Sequence, residues 1–278
     1  MPILTGQAIL AGILGWPVAH SRSPRLHGYW LERHGIDGGY VPLPVRPEDF
    51  TTAVRGLMAV GFAGANVTIP HKLAAFAVCD SLDSSAGRAG AVNTLVFRGG
   101  RVHGSNTDGH GFVANLRAHG VEPGGPALIL GAGGSARAIA AALLDAGARV
   151  AVCGRTRARA EAFVADLPGL VVLDWPDRED ALGDQALLVN TTPLGMGSNA
   201  ALAVDLERAP AGLAVADIVY VPLETPLLKA ARARGLRAVD GLGMLLHQAV
   251  PGFAAWFGIE PVVDADLRRF VAADLLGA

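Results

Sequence analysis

Residues 126–153 read PALILGAGGSARAIAAALLDAGARVAVC, and the reading of this stretch decides the fold. PALIL is an apolar run of strand length, GAGGSA a glycine-rich turn, the Ala-rich segment up to Gly147 a helix, and ARVAVC a second strand. Within the turn, Gly131, Gly133 and Ala136 match G-x-G-x-x-A, and the flanking strand and helix supply the context that so short a pattern needs. Glycine first permits the tight turn, glycine second lets backbone approach a pyrophosphate, and a small third residue lets helix and strand pack closely. The amino end of the helix then faces the anion, which makes Gly131, Ala132, Gly133, Gly134 and Ser135 a candidate dinucleotide-binding turn. Such turns also occur where no nucleotide binds, so the end of the next strand carries the decision.

There the chain reads Cys153, Gly154, Arg155, Thr156, followed by Arg157 and Arg159. An NAD site usually carries Asp or Glu at this point for the ribose hydroxyls. An acid repels a 2′-phosphate, whereas a guanidinium binds it bidentately. The cofactor expected is therefore NADP, with Arg155 and Thr156 at the adenosine phosphate. The bland reading of the same residues is a solvated basic helix start.

Outward from this unit, short apolar runs alternate with segments of helical period, the pattern of strand–helix–strand units and a mainly parallel sheet. Strands are expected at Ile9–Leu14, Tyr40–Pro42, Gly64–Val67, Thr94–Phe97, Ala186–Asn190, Ala214–Val219 and Leu236–Val239. Helices are expected at Pro24–Arg33, Pro47–Val60 and Pro226–Arg234, and again from about Gly243. The fold class is α/β with two domains, as 278 residues suggest. An amino-terminal α/β substrate domain spans residues 1–107 and is completed by carboxyl helices returning within 243–278; a Rossmann domain spans 108–242. The first nineteen residues carry no charged side chain, but no Lys or Arg precedes them, and Gly12, Gly15 and Pro17 interrupt them. A buried strand within AILAGILG is expected there rather than a signal peptide or membrane anchor.

A formal charge of −2 offers no basic field for nucleic acid or anionic lipid, so the partner expected is a small molecule, with neither nucleic acid nor membrane. Cys79 and Cys153 lie in no CxxC or zinc-like spacing and read as reduced thiols of a cytoplasmic protein. The eight histidines show no compact metal-ligand spacing, and no metal is expected. His20 and His71 read as turn support or core hydrogen bonding.

Four further motifs carry hydroxyls, amides and ionisable groups: GWPVAHSRSPRLH (15–27), NVTIPHK (66–72), GAVNT (90–94) and GSNTDGHG (104–111). Each is expected at or just beyond the carboxyl end of a strand, where open α/β sheets bind ligands. Taken singly they have bland readings. Ser23 before Pro24 opens a helix, Asn93 stabilises a turn, and Lys72 is a solvated cation. Together with NTTPLGM (190–196), DIVYVPLETPLL (217–228) and GLGMLLHQA (241–249), in this order, the chain resembles the shikimate dehydrogenase family over nearly its whole length.

The resemblance implies NADP-dependent, reversible reduction of 3-dehydroshikimate to shikimate, in the route to chorismate and the aromatic amino acids. It implies Lys72 and Asp108 as the catalytic pair, Ser21, Ser23 and Tyr220 at the substrate carboxylate, and Thr68, Asn93 and Gln248 completing the substrate shell. Ile218, Gly241 and Met244 are implied near the nicotinamide. A ring ketone being reduced develops an alkoxide that needs a proton and a nearby donor or cation, either of which Lys72 can supply, while Asp108 can hold the ammonium and accept from a substrate hydroxyl. Monomer and homodimer both stay open. So do two rival readings, a quinate/shikimate dehydrogenase using NAD or both cofactors, and a non-catalytic regulator keeping the fold as a ligand sensor. Gly28 and Gly154 depart from the Asn residues common at these places in the family; the first leaves the expected ligand groups intact, and the second removes one possible adenosine contact while keeping Arg155 for the phosphate.

Overall fold

The structure is a computed structural model that describes residues 3–273 and 275. It divides into two compact units: the described residues of Met1–Thr107 and Gln248–Val271 form one, and those of Asp108–His247 and Ala272–Ala278 the other.

The first unit runs β1 (Ile9–Gly15), α1 (Ser23–Arg33), β2 (Gly38–Pro44), α2 (Phe50–Ala59), β3 (Gly64–Val67), α3 (Lys72–Val78), β4 (Ser81–Leu82), α4 (Ser84–Ala89), β5 (Thr94–Arg98) and β6 (Arg101–Ser105). The expected helix over 47–60 is split, because Pro47–Asp49 forms a 3-10 turn ahead of α2. The sheet order is β2-β1-β3-β5-β6-β4. β1 pairs in parallel with β2 and β3, and β4 with β6, while β5 runs antiparallel to both its neighbours. Gly99 and Gly100, at φ 59° and 71°, make the two-residue turn that folds β5 onto β6. Leu14, Phe50, Val54, Val67, Leu95 and Val102 fill the core beneath this sheet, each worth about 1.5–3 kcal/mol when fully buried.

The second unit runs α5 (Asp108–Ala118), β7 (Ala127–Leu130), α6 (Gly134–Asp145), β8 (Val150–Cys153), α7 (Arg157–Val164), β9 (Val171–Leu173), β10 (Leu187–Asn190), β11 (Ala214–Asp217), α8 (Pro226–Ala233) and β12 (Arg237–Val239). Its sheet is wholly parallel in the order β12-β11-β10-β7-β8-β9, a doubly wound Rossmann arrangement. Strands β7, β10 and β11 are fully buried runs, as a parallel sheet covered on both faces requires.

Helix α9 (Gly241–Phe257) starts in the second unit and from Gln248 belongs to the first, followed by α10 (Ala265–Ala272). The return is fastened by aromatic packing. Phe253 lies 5.2 Å from Trp30 and Trp256 6.0 Å from Tyr40, while Trp256 Nε1 donates to the Leu95 carbonyl at 2.9 Å. Residues 274 and 276–278 of the expected returning segment lie outside the described residues. Among the described residues, no helix is long and apolar enough to cross a membrane.

Candidate active site

In the first unit β1 has β2 on one side and β3 on the other, so the strand order reverses at β1 and opens a crevice at the carboxyl ends of the strands. The chain leaving β1 carries Ser21 and Ser23, and the chain leaving β3 carries Thr68 and Lys72. Ser23 opens α1 and is buried; its N–H donates to Ser21 Oγ at 3.3 Å. The Thr68 N–H donates to the Leu14 carbonyl at 2.9 Å, tying the two strand ends together. Lys72 is the first residue of α3, directly after the buried His71. A ring N–H of His71 donates from Nε2 to the Val45 carbonyl at 2.8 Å, and its ring stacks on Phe50 at 4.7 Å. His71 thus serves as a core hydrogen bond that anchors the start of α3, whereas His20 is exposed.

One expectation needs correction. Asn93 stands before the amino end of β5, not beyond the carboxyl end of a strand. It reaches the crevice edge because β5 runs antiparallel, which brings its start beside the ends of β3 and β6. Asn93 Nδ2 donates to Gln248 Oε1 at 3.2 Å, so these two are brought together. The Thr107 N–H donates to Asn93 Oδ1 at 2.9 Å, fixing the last residue of this unit. Asp108 follows as the first residue of α5, buried, in the second unit. Tyr220 belongs to the second unit as well and is half-buried.

In the second unit the strand order reverses between β7 and β10, and the glycine turn sits there. Gly131, at φ 120°, has no room for a side chain, since a Cβ would collide with Thr191 Oγ1. Gly133 and Gly134 face open space at the start of α6, whose first turn has no side-chain cap. Unpaired N–H groups at a helix start suit an anion. A cavity of about 300 Å³ is lined by Gly131, Ala132 and Gly133 on one side, by Arg155, Thr156 and Arg159 on another, and by Thr191, Thr192 and Pro193 on a third. Arg157 is turned away, paired with Glu161 at 2.7 Å and Asp174 at 2.9 Å. No carboxylate among the described residues lines the cavity, so these residues fit a dinucleotide bearing an extra phosphate. Ser135 is half-buried, one residue into α6.

Several contributors escaped the sequence reading. Trp175 lines the cavity, with the Arg178 guanidinium 4.9 Å from its ring, and nothing in its local sequence marks it. Thr191 and Thr192 stood inside NTTPLGM but were given no role. Their loop is held by Asn190, which donates to Asp217 Oδ1 at 2.9 Å and accepts from the Thr192 N–H at 2.9 Å. Asp217 also accepts from Thr225 Oγ1 at 2.8 Å and from the Val219 N–H at 3.0 Å, and burial pushes its carboxyl above the ordinary value. One buried carboxylate therefore shapes both the cavity loop and the segment bearing Ile218 and Tyr220. Gly241 packs onto the Ile218 carbonyl, and Met244 joins the core of this unit. Cys79 and Cys153 are both free, and burial pushes each thiol up to about 11.

A doubly wound sheet with a basic, acid-free cavity at its switch point, in one chain with a second α/β unit that gathers amides and hydroxyls, defines a dinucleotide-dependent oxidoreductase. Comparison with known proteins narrows the class. The family model described as shikimate dehydrogenase substrate binding domain matches residues 13–95. A shikimate dehydrogenase (NADP(+)) of Acidiphilium cryptum is 68% identical over 99% of this chain and 100% of its own. The crystal structure of shikimate 5-dehydrogenase from Thermus thermophilus in complex with NADP(H) and shikimate is 38% identical, with a TM-score of 0.87 over 96% of this chain and 99% of that one. Quinate dehydrogenase from Corynebacterium glutamicum in complex with NAD is 31% identical, with a TM-score of 0.88 over 97% and 99%. The chain belongs to the shikimate dehydrogenase family.

Proposed function

We propose that this chain is an NADP-dependent shikimate dehydrogenase interconverting 3-dehydroshikimate and shikimate, in the pathway to chorismate and the aromatic amino acids. The 68% identity to a shikimate dehydrogenase (NADP(+)) over 99% of the chain carries this reading. The arginine-lined cavity without a carboxylate supports NADP over NAD.

The cofactor, when bound, supplies the hydride for the C3 ketone. Gly131–Ser135 hold its pyrophosphate, and Arg155 and Thr156 its 2′-phosphate. Ile218, Gly241 and Met244 flank the nicotinamide. Ser21, Ser23 and Tyr220 bind the substrate carboxylate, while Thr68, Asn93 and Gln248 bind the rest of the ring acid. Lys72 serves the developing alkoxide as proton donor or as electrostatic stabiliser, and Asp108 orients the ammonium and accepts from a ring hydroxyl. Within the first unit the Val92 N–H donates to the Lys72 carbonyl at 3.0 Å, and the next residue, Asn93, holds Thr107. The residues 1–107 with the returning helices form the substrate domain and residues 108–242 the cofactor domain, in a cytoplasmic protein that is a monomer or homodimer.

The test is the rate of oxidation of shikimate and of quinate, each with NADP⁺ and with NAD⁺. Turnover of shikimate with NADP⁺ well above the other three combinations is expected. Faster turnover of quinate with NAD⁺ selects the quinate dehydrogenase reading, to which the fold of the Corynebacterium enzyme is equally close. A folded protein that binds shikimate and turns over neither acid overturns the enzymatic assignment.

A further inference from the structure

Two backbone groups decide how a run of buried side chains in the first unit must face. The Thr107 N–H, a donor only, lies 2.9 Å from the Asn93 side chain, so the Asn93 oxygen faces it and the nitrogen faces away. The Asn93 carbonyl, an acceptor only, lies 3.2 Å from the Asn66 amide, so the Asn66 nitrogen faces it. Asn66 Oδ1 is then left to accept from the Tyr40 hydroxyl at 2.7 Å. Thr94 stands between the two amides. Its hydroxyl accepts from Asn66 Nδ2 at 3.1 Å and passes its own proton to Asn93 Oδ1 at 2.9 Å. The Thr107 hydroxyl adds a longer approach to the same oxygen at 3.2 Å. On the far side, Asn93 Nδ2 donates to Gln248 Oε1, which turns the Gln248 nitrogen away from the pair.

Tyr40, Asn66, Asn93, Thr94 and Thr107 are each no more than 8% exposed, so water cannot replace a lost partner, and turning over any one amide sets donor against donor and acceptor against acceptor. We infer that Thr94 and Thr107 are positioning residues for substrate recognition, locking Asn93 and Gln248 so that both amides meet the bound ring acid as N–H donors. This rests on the placement of Asn93 and Gln248 in the substrate shell. The consequence is chemical. A ring oxygen at these amides is met as an acceptor, and a ketone and a hydroxyl both have lone pairs to offer, so one rigid shell serves both directions of the reaction. A hydroxyl held there must send its own proton to an acceptor elsewhere.

The test compares Thr94→Val, which keeps the shape and removes the hydroxyl, with Thr94→Ser, which keeps the hydroxyl. For Thr94→Val the KM for shikimate should rise about tenfold, the loss of roughly one well-formed hydrogen bond, with the KM for NADP⁺ within about twofold of wild type. Thr94→Ser should restore the shikimate KM to within about threefold. A merely structural role predicts instead a common loss of active protein, with both KM values unchanged. An unaltered shikimate KM in Thr94→Val overturns the inference, as does a Thr94→Ser variant impaired as severely as Thr94→Val. Should Thr94→Val fail to fold by circular dichroism, Thr107→Val reads the same lock from its other side, with a smaller rise of about threefold expected and no change overturning it. Wild-type turnover of shikimate with NADP⁺ in the same assay separates the two claims. Its absence overturns the proposed function itself, whereas its presence beside an indifferent Thr94→Val removes only the positioning role.

Discussion

The imidazole of His27 stacks on Tyr40 at 3.9 Å, with Trp30 and Phe253 each 5.8 Å away, and is wholly buried. Burial pushes it down from the ordinary 6.5 to about 3, opposed only in part by the nearby Asn66 side chain. Below pH 6.5 the unfolded chain therefore takes up a proton that the folded protein refuses until about pH 3. Stability is full above that window and is lost as pH falls through it, by about 2 kcal/mol at pH 5 from this group. His27→Phe keeps a ring in the stack and removes the titration. Between pH 7 and pH 5 its urea midpoint should fall less than that of wild type, and equal falls would remove His27 as the acid-sensitive group. Arg155 sets a second expectation at this scale. Arg155→Asp should raise the KM for NADPH by about two orders of magnitude while sparing NADH, because it replaces the proposed phosphate partner by a like charge. Arg157, already held by Glu161 and Asp174, is the control whose replacement by Ala should change the NADPH KM by less than about threefold. Steady-state kinetics with both cofactors decide the matter, and equal effects on NADPH and NADH count against the phosphate assignment.

Among the elements, those read most directly from sequence are the ones whose apolar runs are buried on both faces. Strand β7 is an uninterrupted apolar run, β10 and β11 are apolar up to the Asn190 and Asp217 that close them, and β3 is a short run of small residues that holds Asn66. The elements not foreseen have physical reasons for their silence. Strand β6 reads RVHGS, polar and glycine-bearing, with no apolar run to mark it after the Gly99-Gly100 turn. Helix α5 reads DGHGFVANLRA, and glycines at 109 and 111 each cost about 1 kcal/mol in a helix interior. The structure accounts for the first of them: a Cβ at Gly109 would lie 2.7 Å from both the Ala138 carbonyl and Ala142 Cβ, so α5 and α6 approach more closely than any side chain at 109 permits. Helix propensity is spent there on packing, which no local pattern reveals. Gly109→Ala should therefore destabilise the protein by about 1–3 kcal/mol despite alanine's better propensity, since the obstructing atoms include backbone. Thermal denaturation checks this, and a Tm equal to or above wild type would show that the helices separate freely.

At the scale of the whole molecule, motif order disclosed two α/β halves and named candidate ligand groups, but not the strand direction that places Asn93, nor Trp175 at the cavity. Local sequence carries hydrophobic period and turn chemistry, whereas antiparallel pairing and loop convergence depend on residues far apart in the chain. The same limit applies to the proposed catalytic pair, with Lys72 in the first unit and Asp108 opening the second. A functional measurement tests their cooperation directly. If the ammonium and the carboxylate act as one proton-handling unit, removing either disables both, and the two losses do not multiply. Lys72→Ala should lower kcat by a factor of about 10²–10⁴ while the shikimate KM changes only a few-fold, the signature of an interaction made mainly in the transition state. Asp108→Asn should lower kcat comparably, because an amide neither accepts the hydroxyl proton nor holds the ammonium by charge. The double variant should then be no slower than about tenfold below the worse single one. Losses that multiply in full would mean that the two residues act on the reaction separately, and an unchanged kcat in Lys72→Ala would take the lysine out of the chemistry altogether.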